Sequence, residues 1–193
     1  MKSYDPEFDY SANNRYDCGD QYDSNFPAVT DHDEVVDRAR AIFARRYSDV
    51  KPEQGCIYWA AAFQEAAAEF DIKSLVVAGS AQFQFRADTD GVSNTHFSYM
   101  FDSMEAVTRM SQGLPPEFHA WNVLENGEMV DLTTGFQAKQ ANDLLGYVWE
   151  KEFTLPDYFW GKPEYPKMVY RADSTATRFV ALKIYEKEKQ KTS

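Results

Sequence analysis

The chain has 193 residues, 44% of them hydrophobic and 26% charged, with a formal net charge of −11 and a pI near 4.7. That size and balance predict one globular domain with a substantial core, and that sign of charge disfavours nucleic acid and anionic membranes as partners. Two cysteines, no CxxC pair, no secretory leader and no apolar run of about 18 residues argue against a disulfide framework, a zinc knuckle or a membrane span, and predict a cytoplasmic protein with reduced thiols.

Residues 1–29 are rich in Asp, Asn, Ser and Tyr and show no periodicity. They predict an N-terminal extension, disordered or docked in extended form through Tyr4, Phe8, Tyr10, Tyr16, Tyr22 and Phe26. Cys18 lies here among acidic residues, which disfavour a thiolate, and reads as inert. Residues 30–193 read as a single domain, with no repeat and no Gly/Ser linker. Thr30 or Asp31 can cap a helix that runs to about Tyr47, with Val35, Val36, Ala39, Ile42, Phe43 and Tyr47 on one face. His32, among acids in its first turn, reads as a surface residue.

A turn from Pro52 to Gly55 leads into Cys56 and an alanine-rich helical run through Phe63, Ala66, Ala67 and Phe70. The thiol therefore sits in the first turn of a largely buried helix. Unpaired backbone N–H groups and the positive end of the helix dipole lie there, and both favour an anion. Leu75–Ala78 and Phe83–Phe85 read as strand, with Gly79-Ser80 as a bulge or bend between them. Gly79-Ser80 lacks the lysine of a phosphate loop. A loop over residues 86–94 precedes a strand over residues 95–101, and Met104, Val107 and Met110 mark a short helix.

Phe118–Leu124 and Met129–Thr133 read as two strands joined by Glu125-Asn126-Gly127, a hairpin signal. A helix is expected over residues 137–147, and a loop packed over the core from Leu155 to Pro166. Residues 174–190 fit a helix opened by Ser174, although a strand through Val180, Leu182 and Ile184 fits nearly as well.

Cysteine catalysis needs a base for the thiol proton and a group that orients the base. His119 opens one hairpin strand and Asp131 lies on the other. With a two-residue Asn126-Gly127 turn, Asp131 falls on the face opposite His119. With a three-residue loop and Gly127 as the left-handed residue, Asp131 falls opposite Trp121, on the face of His119 and one diagonal from it. Diagonal neighbours are roughly 7–8 Å apart, within side-chain reach. The catalytic reading requires this second register, which also keeps Glu125 from facing Glu128.

A cysteine at a helix start (Gln54-Gly55-Cys56), His119-Ala120-Trp121 on a strand, and Asp131-Leu132-Thr133-Thr134 on the next resemble the transglutaminase-like branch of the papain-like cysteine enzymes. The likeness covers roughly residues 50–135. It implies an α+β fold with a papain/transglutaminase-like core, its N-terminal nucleophile helix packed on an antiparallel sheet. It also implies a Cys56–His119–Asp131 triad and a peptide, protein or small acyl substrate, with no cofactor. The stretch over residues 79–94 has no counterpart in the family pattern, nor does the chain carry the proline often found after the aspartate.

Gln54 and Gln82 are oxyanion candidates beside the Cys56 N–H, and Trp121 is a core residue or a cleft lid beside the imidazole. A metal site from Cys56, His96 and His119 lacks any local ligand spacing, and no metal is expected. The other function the sequence allows is a catalytically inactive, transglutaminase-like protein-binding module.

Overall fold

The computed structural model describes residues 32–87, 95–162 and 167–191. The predicted extension, Cys18 and residues 88–94 of the predicted loop lie outside the described residues. The described chain is an α+β assembly of five α-helices and a six-stranded antiparallel sheet. None of its helices is long and apolar enough to cross a membrane.

Helix α1 (His32–Arg46) buries Val35, Val36, Ala39, Ile42 and Phe43. Acidic Asp33 and Glu34 open it and basic Arg45 and Arg46 close it, in the sense the helix dipole favours. It packs along α2 (Cys56–Glu69), where Ala62, Ala66 and Ala67 keep the approach close. Phe43 of α1 stacks on Trp59 of α2 with ring centroids 3.8 Å apart. Gly55, just before Cys56, sits so tightly that an added Cβ would lie 3.1 Å from Val50 and 3.2 Å from Phe43. The chain thus enters α2 through a gap that suits glycine.

The strands are β1 (Ser74–Gln84), β2 (His96–Tyr99), β3 (His119–Leu124), β4 (Met129–Asp131), β5 (Phe159–Gly161) and β6 (Met168–Ala172). Their order is β2-β1-β3-β4-β5, with β6 also paired to β1. The remaining helices are α3 (Ser103–Ser111), α4 (Thr134–Leu145) and α5 (Ser174–Lys191). Helices α2 and α5 cover the sheet face that carries Ala78, Ala120 and Leu124. Asn122 on that face donates to the Ala60 carbonyl at 3.1 Å, pinning α2 to β3. The opposite face buries Val77, Phe83, Trp121, Val123, Met129 and Tyr170.

The β3–β4 hairpin adopts the bulged register. Leu124 N–H donates to Glu128 O at 2.9 Å, Gly127 has φ 83°, and Val123 pairs with Met129. Asp131 therefore faces the same side as Trp121 and His119. The 174–190 segment is the helix rather than the strand.

Five sequence expectations are corrected. Gly79-Ser80 is neither bulge nor bend: β1 runs unbroken, and Gly79 pairs with both His119 of β3 and Ala172 of β6. A Cβ there would stand 2.0 Å from the Arg171 carbonyl oxygen, so the glycine serves backbone approach. The fourth strand stops at Asp131, and α4 begins at Thr134 rather than at 137. The predicted 155–166 loop contains β5, which pairs with β4 and completes the sheet. His32 is no free surface residue, since its ring stacks on Trp160 at 4.1 Å and 8°.

Candidate active site

Cys56 is the first residue of α2, behind a glycine N-cap with no side-chain cap bond, and it is half-buried. It packs beside Phe101 and Phe118 against the cluster that holds Ala78 and Ala120. His119 and Asp131 are each 1% exposed. His119 Nε2 and Asp131 Oδ2 lie 2.7 Å apart, and since the carboxylate can only accept, the ring nitrogen donates. The bulged register and the strand alternation that follows from it bring these two side chains together.

Asp131 is fully engaged. Oδ2 also accepts from the Tyr170 hydroxyl at 2.8 Å. Oδ1 accepts from the Thr133 N–H at 2.8 Å and from Thr133 Oγ1 at 2.6 Å. Burial pushes this carboxyl up, but the charge and hydrogen bond of His119 and the two bonds from Thr133 outweigh it and hold the group below its ordinary range. For His119 the balance runs the other way. Burial pushes the imidazole down, yet the Asp131 charge and hydrogen bond, reinforced by Cys56, raise it to about 10.

Its remaining ring nitrogen, Nδ1, is buried and closes no hydrogen bond within ordinary limits. Cys56 is among the groups that raise the imidazole, which places the thiol in its neighbourhood.

The imidazole is boxed by aromatic rings. Tyr99 stacks on it at 5.1 Å and 22°, and Phe83 meets it edge-on at 5.6 Å and 86°. Trp121 and Tyr170 lie behind, at 6.2 Å and 6.1 Å. The Tyr99 hydroxyl is shared between Gln137 Oε1 at 3.0 Å and Gln140 Oε1 at 2.6 Å. Gln137 donates to the Thr133 carbonyl at 3.1 Å, and Gln140 donates to the Glu53 carbonyl. Lys139 Nζ reaches the Glu53 carboxylate at 3.2 Å. One helix, α4, thus ties together the residue that holds Asp131, the ring stacked on His119, and the turn that delivers Cys56.

The structure places His119 and Asp131 in direct contact with Cys56 nearby, and it distributes the auxiliary candidates differently. Gln54 is exposed on the short 3₁₀ turn Pro52–Gln54. Gln82 is fully buried on the sheet face that also carries Ala78, against which Cys56 packs, and its Nε2 contacts Met100 Sδ at 3.6 Å. Trp121 is core behind the imidazole, 1% exposed, and not a lid. His96 pairs with Gln84 and so faces away from Tyr99 and His119, with Nδ1 2.8 Å from Thr95 Oγ1. Among the described residues no group of three or more His, Cys, Asp or Glu side chains is arranged to hold a metal ion.

Sequence reasoning missed Tyr170, Tyr99, Gln137 and Gln140. Tyr99 was legible in principle, as it lies in an alternating run, opposite Ala81. Tyr170 had a weaker signal in the apolar run Met168-Val169-Tyr170 after a proline-rich stretch.

No family model matches the sequence, and no curated protein does. A solved crystal structure of a genomics target is similar in shape at TM-score 0.49 and 14% identity, over 84% of this chain and 76% of that one. A likeness of that size carries no argument about function.

Proposed function

We propose that this protein is a cysteine-dependent acyl-transfer enzyme with a papain/transglutaminase-like core, in which Cys56 is the nucleophile, His119 the general base and acid, and Asp131 the carboxylate that orients the imidazole. The observation that carries this reading is the buried 2.7 Å His119–Asp131 pair, with a half-buried thiol at a helix start among the groups that act on the imidazole. The nucleophile helix lying on an antiparallel sheet supports the same reading of the fold.

In the reaction, Cys56 sulfur, its proton already held on the His119 imidazolium, bonds to the carbonyl carbon of an amide or ester. The carbonyl electrons move onto oxygen, within reach of the N–H groups in the first turn of α2. When the C–N or C–O bond breaks, the imidazolium returns the proton to the leaving group. Water or an amine then attacks the thioester, gives its proton to His119, and releases Cys56 as the thiolate on completion. These steps call on no cofactor. Hydrolysis and transfer share the thioester and differ in the second nucleophile.

The test is alkylation by iodoacetamide at pH 6, followed by intact mass and peptide mapping. Cys56 is expected to react far faster than Cys18, and His119→Ala to remove that advantage. Equal rates at the two cysteines, or reaction of Cys56 only on unfolding, would overturn the enzyme and leave the inactive binding module.

A further inference from the structure

A groove of about 850 Å³ opens beside the triad. Tyr99, Met100, Phe118, Leu144 and Leu145 supply much of its apolar wall. Two of these adjoin the chemistry. The Tyr99 ring stacks on His119, and Phe118 precedes His119 in the chain and packs with Cys56 on the same cluster. Leu144 is 71% exposed and Leu145 40%, so the wall presents apolar surface to water with nothing of this chain's described residues over it.

Residues 97–100 all line the groove, four in succession. Successive strand residues point to opposite faces, so a wall built from four in a row is a strand edge. Among the described residues β2 pairs with β1 alone, which leaves the edge of the strand itself for a main chain to lie along, while just beyond it Met100 N–H donates to Glu117 Oε1 at 3.5 Å. The charges in the groove are Glu105, Glu117 and Arg109, and Arg109 Nε is already committed to the Pro115 carbonyl at 2.7 Å. The balance is negative, on a protein of net charge −11.

We infer that this groove binds an extended peptide segment that sets an apolar side chain against Leu144, Leu145 and Phe118 and a basic side chain against Glu105 and Glu117. The segment lies antiparallel or parallel to β2, with its carbonyl carried past Tyr99 toward Cys56. This deepens the acyl-transfer reading and rests on it for the chemistry, though not for the binding. A cavity of this size suits two or three residues of a peptide rather than a single small acyl group. A main chain exploits the open β2 edge as well.

Binding is tested on Cys56→Ala, which cannot react, by methyl NMR of Leu144, Leu145 and Met100 during titration with acetyl-Phe-Lys-amide and acetyl-Phe-Glu-amide. The Phe-Lys peptide is expected to shift those methyls and saturate at least tenfold more tightly than Phe-Glu. Glu105→Gln combined with Glu117→Gln should erase the ratio, and raising salt should shrink it. Absence of shifts, equal affinities, or a ratio that survives the double variant would overturn the groove assignment. Iodoacetamide labelling of wild type separates the two claims. Fast labelling without peptide shifts removes the groove and keeps the triad, whereas peptide shifts without fast labelling keep the groove and remove the chemistry.

Discussion

On one face of the sheet, Ala78 and Ala120 meet Ala176 and Val180 of α5, and Ala60 of α2 lies over Asn122. On the other, a histidine and an aspartate are closed off from water, and the carboxylate of Asp131 receives four hydrogen bonds from three residues. The helix-covered face is built by non-directional apolar burial, which tolerates swaps of similar volume. The polar cluster has no such tolerance. A buried ion pair gains little over apolar packing, and it holds together only while every member keeps its partner.

The largest effect that would sharpen this contrast is on reactivity. His119→Ala should slow acyl transfer at Cys56 by about 10²–10⁴-fold, the usual worth of a general base, while α2 and α5 stay packed as judged by circular dichroism. A variant that labels as fast as wild type would make the polar face merely structural.

Next in size is stability. Asp131→Ala strands a buried imidazole and should cost about 3–5 kcal/mol in urea unfolding. Its pH dependence follows from the two shifts. His119 is raised from 6.5 to about 10 in the folded state, so its contribution is complete below pH 6.5 and is lost as pH climbs through 10. Asp131 is lowered from 3.8, so its contribution is complete above that value and is lost as pH falls through the depressed one. The gap between wild type and Asp131→Ala should therefore be widest from about pH 4 to 6.5 and narrow toward pH 10. A gap that stays constant from pH 5 to 10 would show that the pair is not ionised as drawn.

The two faces also differ in how much of them could be read from the sequence. Val35, Val36, Ala39, Ile42 and Phe43 repeat at helical spacing, so α1 and its contact with α2 were legible, as was the position of Cys56 at a helix start. The hairpin was legible because Gly127 and the Glu125/Glu128 repulsion favour one register. β5 was not, because three residues among prolines carry no period, and their pairing comes from β4. Tyr170 lies 39 residues from Asp131 on a strand placed by β1, and nothing local announces the contact. Gln137 and Gln140 look like any polar helix residues until α4 is seen to span Thr133 and Glu53. Periodicity encodes apolar faces, whereas polar convergence is encoded only in the register of the whole sheet.

A smaller effect on the polar face comes from Tyr170→Phe, which removes one hydrogen bond to a charged group and should cost about 1.5–3 kcal/mol. On the helix-covered face, Ala66→Val adds volume to a fully buried site between α1 and α2 and should cost about 1–3 kcal/mol. The two losses are comparable in stability and should part in chemistry. Tyr170→Phe is expected to slow Cys56 labelling, and Ala66→Val to leave it unchanged. If the core variant slows labelling as much, general loosening explains both.

Tyr99→Phe is the smallest change and the most discriminating. It keeps the ring that stacks on His119 and deletes only the hydroxyl shared by Gln137 and Gln140. Losing hydrogen bonds between neutral groups should cost about 0.5–1.5 kcal/mol. The two glutamines still reach Thr133 and Glu53, so the fold should persist, but the brace between the Asp131 side and the Cys56 side of the site is cut. If α4 aligns thiol and imidazole through that phenol, labelling of Cys56 should slow by more than the small stability loss accounts for. Restoring a hydroxyl-free but polar brace, as in Gln140→Glu on the Tyr99→Phe background, should not recover it. Labelling that is unchanged in Tyr99→Phe would mean that the stacked ring alone positions His119, and that the glutamines serve only to dock α4.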